Sequence, residues 1–201
     1  LEYLSATGST FDNVFDATGA PWAVTILGGS GNDTITGGNL NDILNGNAGD
    51  DTISGNGGLD KLNGGSGVDA IDGGTDDDSL MIDDLDSTVT GGDGIDKVTV
   101  SGATGPVTLN LTTGLIESVL ATASTFDNNF DATGATWSVS ITGGAGNDTI
   151  TGGENNDTLT GNAGDDTIIG NGGSDRLNGG LGADELDGGN GDDFLTIDSD
   201  D

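Results

Sequence analysis

One apolar residue recurs at every ninth position over two long stretches of the chain. In the first stretch it is Ile35, Leu44, Ile53, Leu62, Ile71, Leu80, Val89 and Val98; in the second it is Ile150, Leu159, Ile168, Leu177, Leu186 and Leu195. A period of nine matches neither an amphipathic helix nor a long alternating strand. It fits a tight turn of about six residues followed by a three-residue strand whose middle side chain points inward. Two such rows bring the chain back to its start. Coils of eighteen residues then stack as parallel strands about 4.8 Å apart. The pattern predicts an all-β solenoid.

The polar positions keep the same frame. Gly28-Gly29-Ser30-Gly31-Asn32-Asp33-Thr34-Ile35-Thr36 is followed by rows beginning at Gly37, Gly46, Gly55, Gly64 and Gly73. A degenerate row occupies 82–90, and the frame returns at Gly91. The second stretch has rows beginning at Gly143, Gly152, Gly161, Gly170, Gly179 and Gly188. Glycine at positions one, two and four of a row permits positive φ and close stacking of backbones. A longer repeat of 115 residues contains these rows: 1–86 aligns without gaps on 116–201, with about 58 of 86 pairs identical. Thr10-Phe11-Asp12-Asn13 recurs as Thr125-Phe126-Asp127-Asn128, and Trp22 recurs as Trp137. Because the aromatics align as well as the Gly and Asp, the halves are tandem copies of one unit, the second cut short.

Charge narrows the chemistry. Of 201 residues, 35 are acidic and three are basic (Lys61, Lys97, Arg176), a net charge of −32. Nucleic acid and anionic membranes are bound through Lys and Arg, so neither is an expected partner. There is no Cys and no His, which excludes disulfides, thiolate sites and imidazole catalysis. No apolar run approaches a membrane span, and no GxxxxGK[ST] loop occurs. No charged-then-apolar leader precedes Tyr3, and the chain stops within a row at Asp201; a piece of a longer or processed protein is expected.

The row pattern GGxGxDxUx resembles the nonapeptide of the RTX (repeats-in-toxin, haemolysin-type) calcium-binding proteins over 28–99 and 143–196. The resemblance implies a right-handed parallel β-roll in two tandem copies, with Ca2+ held between the turns of adjacent coils. It assigns as ligands the position-six carboxylates Asp33, Asp42, Asp51, Asp60, Asp69, Asp78, Asp96, Asp148, Asp157, Asp166, Asp175, Asp184 and Asp193. It adds turn carbonyls around Gly29, Gly31, Gly38, Gly49, Gly58, Gly65, Gly67, Gly74, Gly144, Gly146, Gly153, Gly164, Gly173, Gly180, Gly182, Gly189 and Gly191. About nine regular sites are expected. They join 33 to 51, 51 to 69, 42 to 60, 60 to 78 and 78 to 96, then 148 to 166, 166 to 184, 157 to 175 and 175 to 193. No regular site should join Asp69 to Ser87, where a hydroxyl replaces the carboxylate; Asp83, Asp84 and Asp86 are the residues able to supply an irregular one.

Electrostatics points the same way. Stacked coils place each Asp near the one eighteen residues on, and at an effective dielectric of about 20 such a contact costs on the order of 3 kcal/mol. A hard divalent cation reverses that sign, and an oxygen-only ligand set suits Ca2+ better than Mg2+. A merely solvated acidic surface would not require Asp at every ninth residue.

Four segments follow: 1–27, aromatic and extended; 28–99, the first roll block; 100–142, a linking segment repeating the aromatic one; and 143–201, the second block. The aromatics Phe11, Phe15 and Trp22 are expected to thicken the core where the glycine turns are missing. Lys61 and Arg176 read as charge partners on the roll surface. Threonine pairs such as Thr34/Thr36 suggest a flat ice-binding array, but Asp72, Glu185 and Asp187 interrupt it. The expected function is a non-enzymatic calcium-binding module of a secreted or cell-surface bacterial protein, stiffened by Ca2+ and repeated in a stalk, surface layer or filament. Other copies bound end to end are the expected macromolecular partners. Two alternatives remain: an accessory module of a secreted enzyme, and a carbohydrate-binding module using Trp22 and Trp137.

Overall fold

The computed structural model describes residues 2–86 and 88–199. Contacts divide the chain into unit 1, Leu1–Gly102, and unit 2, Ala103–Asp201. Unit 1 comprises β1 (Glu2–Ser5), β2 (Val14–Asp16), β3 (Val24–Leu27), β4 (Thr34–Thr36), β5 (Ile43–Ala48), β6 (Thr52–Gly57), β7 (Lys61–Ser66), β8 (Ala70–Thr75), β9 (Ser79–Ile82), β10 (Thr88–Asp93) and β11 (Lys97–Val100). The odd strands form one parallel sheet and the even strands another, each in chain order. Both sheets belong to one stack of coils, an all-β parallel solenoid consistent with a right-handed β-roll.

The register carries the repeat. Ile35 pairs with Ile53 and Leu44 with Leu62, eighteen residues on. Two buried columns result, Ile35–Ile53–Ile71–Val89 and Ile26–Leu44–Leu62–Leu80–Val98. They are the interior of the unit, and the residues on either side of each face outward. Several strands run to six residues rather than the expected three, because the glycines and asparagines after the strand stay in register, as in Asn47↔Gly65 and Asn56↔Gly74. Where the glycine turn is absent the coil lengthens, to 22 residues between Glu2 and Val24 and 20 between Val14 and Thr34.

Unit 2 comprises β12 (Thr108–Asn110), α1 (Leu111–Gly114), β13 (Ser118–Leu120), β14 (Asn129–Asp131), β15 (Ser140–Thr142), β16 (Thr149–Thr151), β17 (Thr158–Ala163), β18 (Thr167–Ile169), β19 (Arg176–Leu181), β20 (Glu185–Asp187) and β21 (Phe194–Thr196). Here the even strands form one parallel sheet and the odd strands the other. The four-residue helix was not foreseen. Asn110 caps its start by accepting from the Thr113 N–H, and Leu115 ends it in a left-handed conformation at φ 51°.

The aromatics divide by copy. In unit 2, Phe130 is fully buried and pairs with Leu109 of β12, while Leu111 and Ile116 are buried nearby. In unit 1 the equivalent strand β2 is an edge, Phe11 is 76% exposed and Trp22 48% exposed. The core-thickening expectation therefore fails for Phe11 and Trp22, which are exposed, and for Phe15, half-buried on the edge strand; of the equivalent rings in unit 2, Phe130 enters the core while Phe126 and Trp137 are half-buried.

Candidate metal centre

Each position-six Asp sits at the foot of a strand, where its side chain reaches back one coil. The N–H of Asp33 donates to Oδ1 of Asp51 at 2.7 Å, Asp42 to Asp60 at 2.7 Å, Asp51 to Asp69 at 2.8 Å, Asp60 to Asp78 at 2.8 Å and Asp78 to Asp96 at 2.7 Å. Unit 2 repeats this from Asp148 to Asp166, Asp157 to Asp175, Asp166 to Asp184 and Asp175 to Asp193, at 2.7–2.9 Å. Each ladder thus uses one carboxylate oxygen per coil.

The second oxygen separates the residues into two groups. Oδ2 of Asp33, Asp42, Asp148 and Asp157 accepts the N–H of Gly29, Gly38, Gly144 and Gly153 at 2.6–2.7 Å. Oδ2 of Asp51, Asp60, Asp78, Asp166 and Asp175 is buried with no hydrogen-bond partner. An ionised oxygen in that position needs a cation or a proton.

The space beside it is defined by an absent side chain. A Cβ on Gly37 would lie 2.6 Å from both Asp42 Oδ2 and the Gly55 carbonyl of the next coil. The same cradle, a position-six oxygen beside a carbonyl eighteen residues on, recurs at Gly28, Gly46, Gly55 and Gly73 in unit 1 and at Gly143, Gly152, Gly161 and Gly170 in unit 2. At Gly64 the three nearest atoms all belong to Asp69. Among the described residues no three carboxylates converge. A bound ion would therefore take much of its shell from main-chain carbonyls, which suits calcium's hard-oxygen preference. The donors present fit Ca2+.

Burial disfavours the charged form of these carboxylates. It pushes Asp51 and Asp60 up to about 7, against the opposing pull of the N–H groups of Asp33 and Asp42, with neighbouring carboxylates adding to the rise. Asp78 and Asp166 are pushed up to about 6 by the same burial. Asp148, Asp157 and Asp175 are raised too, again chiefly by desolvation.

The degenerate row solves its turn differently. Ser87, the residue on which the missing site was argued, lies outside the described residues. The N–H of Asp69 donates instead to Oδ1 of Asp86 at 3.1 Å, seventeen residues on. Asp86 Oδ2 accepts from the Asp83 N–H at 2.9 Å, and Asp83 Oδ1 accepts from Leu85 at 2.7 Å. Asp86 therefore binds the coils with both its oxygens engaged by main-chain donors.

Two participants were missed from the sequence. The cradle carbonyls of position-one glycines add to the position-two and position-four carbonyls expected from the resemblance; those of Gly29, Gly38, Gly144 and Gly153 accept N–H bonds of 3.1–3.3 Å from the next coil. A second side-chain ladder runs outside the first, with Asn32 Oδ1 accepting from Asp50 and Asp50 Oδ1 accepting from Val68, both at 2.9 Å. Its signal was visible as Asn or Asp at position five, next to the position-six Asp. Asn13 and Asn128 head the inner ladders, each donating its backbone N–H and its amide to Asp33 or Asp148 at 2.7–2.8 Å.

Comparison with known proteins agrees with this geometry. No curated protein matches the chain. The RTX calcium-binding nonapeptide repeat is found in four copies, at residues 25–53, 45–80, 140–168 and 160–195, together more than half of the chain. With its glycine cradles, stacked carboxylates and nine-residue frame, the chain belongs to the RTX calcium-binding nonapeptide repeat family.

Proposed function

We propose that this calcium-binding repeat module is a non-enzymatic structural element of a secreted or cell-surface protein, which folds and stiffens on taking up nine Ca2+ ions. One observation carries the reading: buried Asp oxygens without partners face a carbonyl across a space kept open by glycine. The residues named hold the ion in pairs of successive coils. Asp33 with Asp51, Asp51 with Asp69, Asp42 with Asp60, Asp60 with Asp78 and Asp78 with Asp96 serve unit 1; Asp148 with Asp166, Asp166 with Asp184, Asp157 with Asp175 and Asp175 with Asp193 serve unit 2. Bound calcium supplies the positive charge that offsets the stacked carboxylates. The chain supplies oxygen donors and excludes water from them. Support for a non-catalytic role comes from the carboxylates themselves, which are buried and tied to main-chain donors.

A ligand that binds only the folded state adds about 2.7 kcal/mol at a hundredfold excess over its Kd, and several sites act together. Circular dichroism at neutral pH should show little β-structure in chelator and a cooperative gain as calcium is added. A full β spectrum in chelator would refute the reading.

Use in a stalk, layer or filament is supported by the tandem repeat itself, whose coils stack in one register without closing on themselves. Among the described residues β1 pairs with β3 and β21 with β19, and the inward residues Leu4 and Leu195 on those strands are 38% and 40% exposed. Stacking between copies would bury both. Sedimentation in calcium should show association that Leu4→Asp abolishes; an unaltered monomer at high concentration would exclude end-to-end assembly.

A further inference from the structure

In unit 2 the aromatic coil is covered on one side by a short segment, residues 103–115, which carries no charged side chain in a chain of net charge −32. Within it β12 lies parallel to β14, with Leu109 opposite Phe130. The Asn129 N–H donates to the Val107 carbonyl at 2.8 Å, and the Val107 N–H donates to Oδ1 of Asn128 at 3.1 Å. The turn that follows, α1, packs on β14, and the Thr112 hydroxyl donates to the Thr133 carbonyl at 3.0 Å. Val107, Leu109 and Leu111 are buried in this contact, and so are Phe130, Ala132 and Ala135.

Unit 1 repeats the covered surface 115 residues earlier. The run from Phe15 to Ala20 is identical to that from Phe130 to Ala135, and Asn13 corresponds to Asn128. Here, however, Phe15 and Ala20 are half-buried and Val14 is 78% exposed. A hollow of about 360 Å³ opens over Asp16, Ala17, Thr18 and Ala20 and reaches Leu4 and Val24. Asn13 donates its amide to Asp33 at 2.7 Å, as Asn128 does to Asp148 at 2.8 Å. Its Oδ1 therefore occupies the place from which Asn128 receives the Val107 N–H. The same surface is thus filled in one copy and hollow in the other, and the filled copy shows what fits.

We propose that the hollow of unit 1 is a socket for a 103–115 segment from another copy of the repeat. The segment adds a parallel strand beside β2, with its Leu109 opposite Phe15, and lays the turn at Leu111 into the hollow. Its Val107 carbonyl accepts the Val14 N–H and its Val107 N–H donates to Asn13, which extends the inner Asp ladder by one amide rung. A three-residue parallel pairing gives few main-chain bonds, so the fit of the two leucines to Phe15 and the alanines decides what binds. An uncharged occupant also approaches this acidic chain without the repulsion that a carboxylate-lined surface would meet. The proposal deepens the end-to-end reading above and rests on it, naming the segment by which one copy is seated on the next.

Nuclear magnetic resonance on the full chain in excess calcium tests it, with the synthetic peptide 103–115 as the probe. The signals of Val14–Ala20 should shift and saturate at one equivalent, while those of Asn129–Ala135, already covered, stay in place. The Val14 N–H should become protected from hydrogen exchange. A Leu111→Asp peptide should bind at least about tenfold more weakly, since that leucine is fully buried where the segment is seated in unit 2. Ala20→Arg in the chain should abolish the shifts and leave the calcium-induced dichroism unchanged, which separates loss of the socket from loss of the fold. Joining the 103–115 sequence ahead of Leu1 makes the contact intramolecular, and Val14 should then be protected without added peptide. Shifts at both surfaces, equal binding of the Leu111→Asp peptide, or an unprotected Val14 N–H in the joined chain would overturn the proposal. Association in sedimentation with no response at Val14–Ala20 would refute the socket and leave end-to-end assembly standing; a response without association would do the reverse.

Discussion

At the scale of the residue, the aspartates owe their behaviour to where the second oxygen lies. In the metal-free fold, burial holds Asp51 and Asp60 up to about 7, whereas in the unfolded chain they return to about 3.8. Between those values the folded form retains protons that the unfolded form has lost. Their contribution to metal-free stability is therefore fully present below the unfolded value and disappears as pH rises through the folded one. Calcium-stripped protein should show more β-structure near pH 4.5 than near pH 8, by circular dichroism; a signal that grows with rising pH would contradict this. The cradle gives a second test. Gly37→Ala sets a methyl against Asp42 Oδ2 and the Gly55 carbonyl. It should remove about one bound ion and about 1–3 kcal/mol of stability in calcium. Gly8→Ala, where a Cβ meets nothing within 4 Å, should change neither. Equal effects of the two substitutions would show that the space beside Asp42 has no role in binding.

At the scale of the element, the inward strand residues, the turns and the 18-residue coil of the regular rows were legible, since Asp and one apolar residue recur in a nine-residue frame; strand length was not, because the glycines and asparagines that extend β5 to β8 carry no apolar period. The carboxylate positions were legible from the same frame. The orientation of peptide planes was not, because period and composition are unchanged by turning a peptide over; the position-one carbonyls of Gly46 and Gly55 were missed for that reason. The helix α1 was hidden as well. Its four residues, Leu111–Gly114, are too few to show a helical period, and it exists through the Asn110 cap and the burial of Leu111. The degenerate row shows how a coil persists without the glycine frame. Asp86 accepts from both Asp69 and Asp83. Asp86→Ala should cost about 1–3 kcal/mol by withdrawing that acceptor from two main-chain donors, without altering the number of ions bound. Thermal melts paired with calcium counting check both halves; loss of an ion would mean that Asp86 is a ligand.

At the scale of the whole molecule, the cradles count the coils that each unit stacks within this sequence. Unit 1 has cradles at Gly28, Gly37, Gly46, Gly55 and Gly73; unit 2 has them at Gly143, Gly152, Gly161 and Gly170. Native mass spectrometry of the separate segments 1–102 and 103–201 in calcium should find five and four ions. Any other pair of counts would mean that turns outside these cradles bind ions, or that some cradles do not. Stability in such a stack is the sum of nearest-neighbour terms between coils, so losing one ion should weaken two neighbouring coils and leave distant ones intact.

The inner ladder also has a direction, since the donor always belongs to the earlier coil and the acceptor to the later one. Under tension a coil at either end of a stack is held by one neighbour rather than two, so coils come away from an end one at a time. Each regular coil pulled free pays out 18 residues, roughly 60 Å of extended chain. It also surrenders the ion it shared with the coil beneath. A tether built this way lengthens in equal increments, at a load set by the calcium concentration around it, and recoils by the same increments when the load falls.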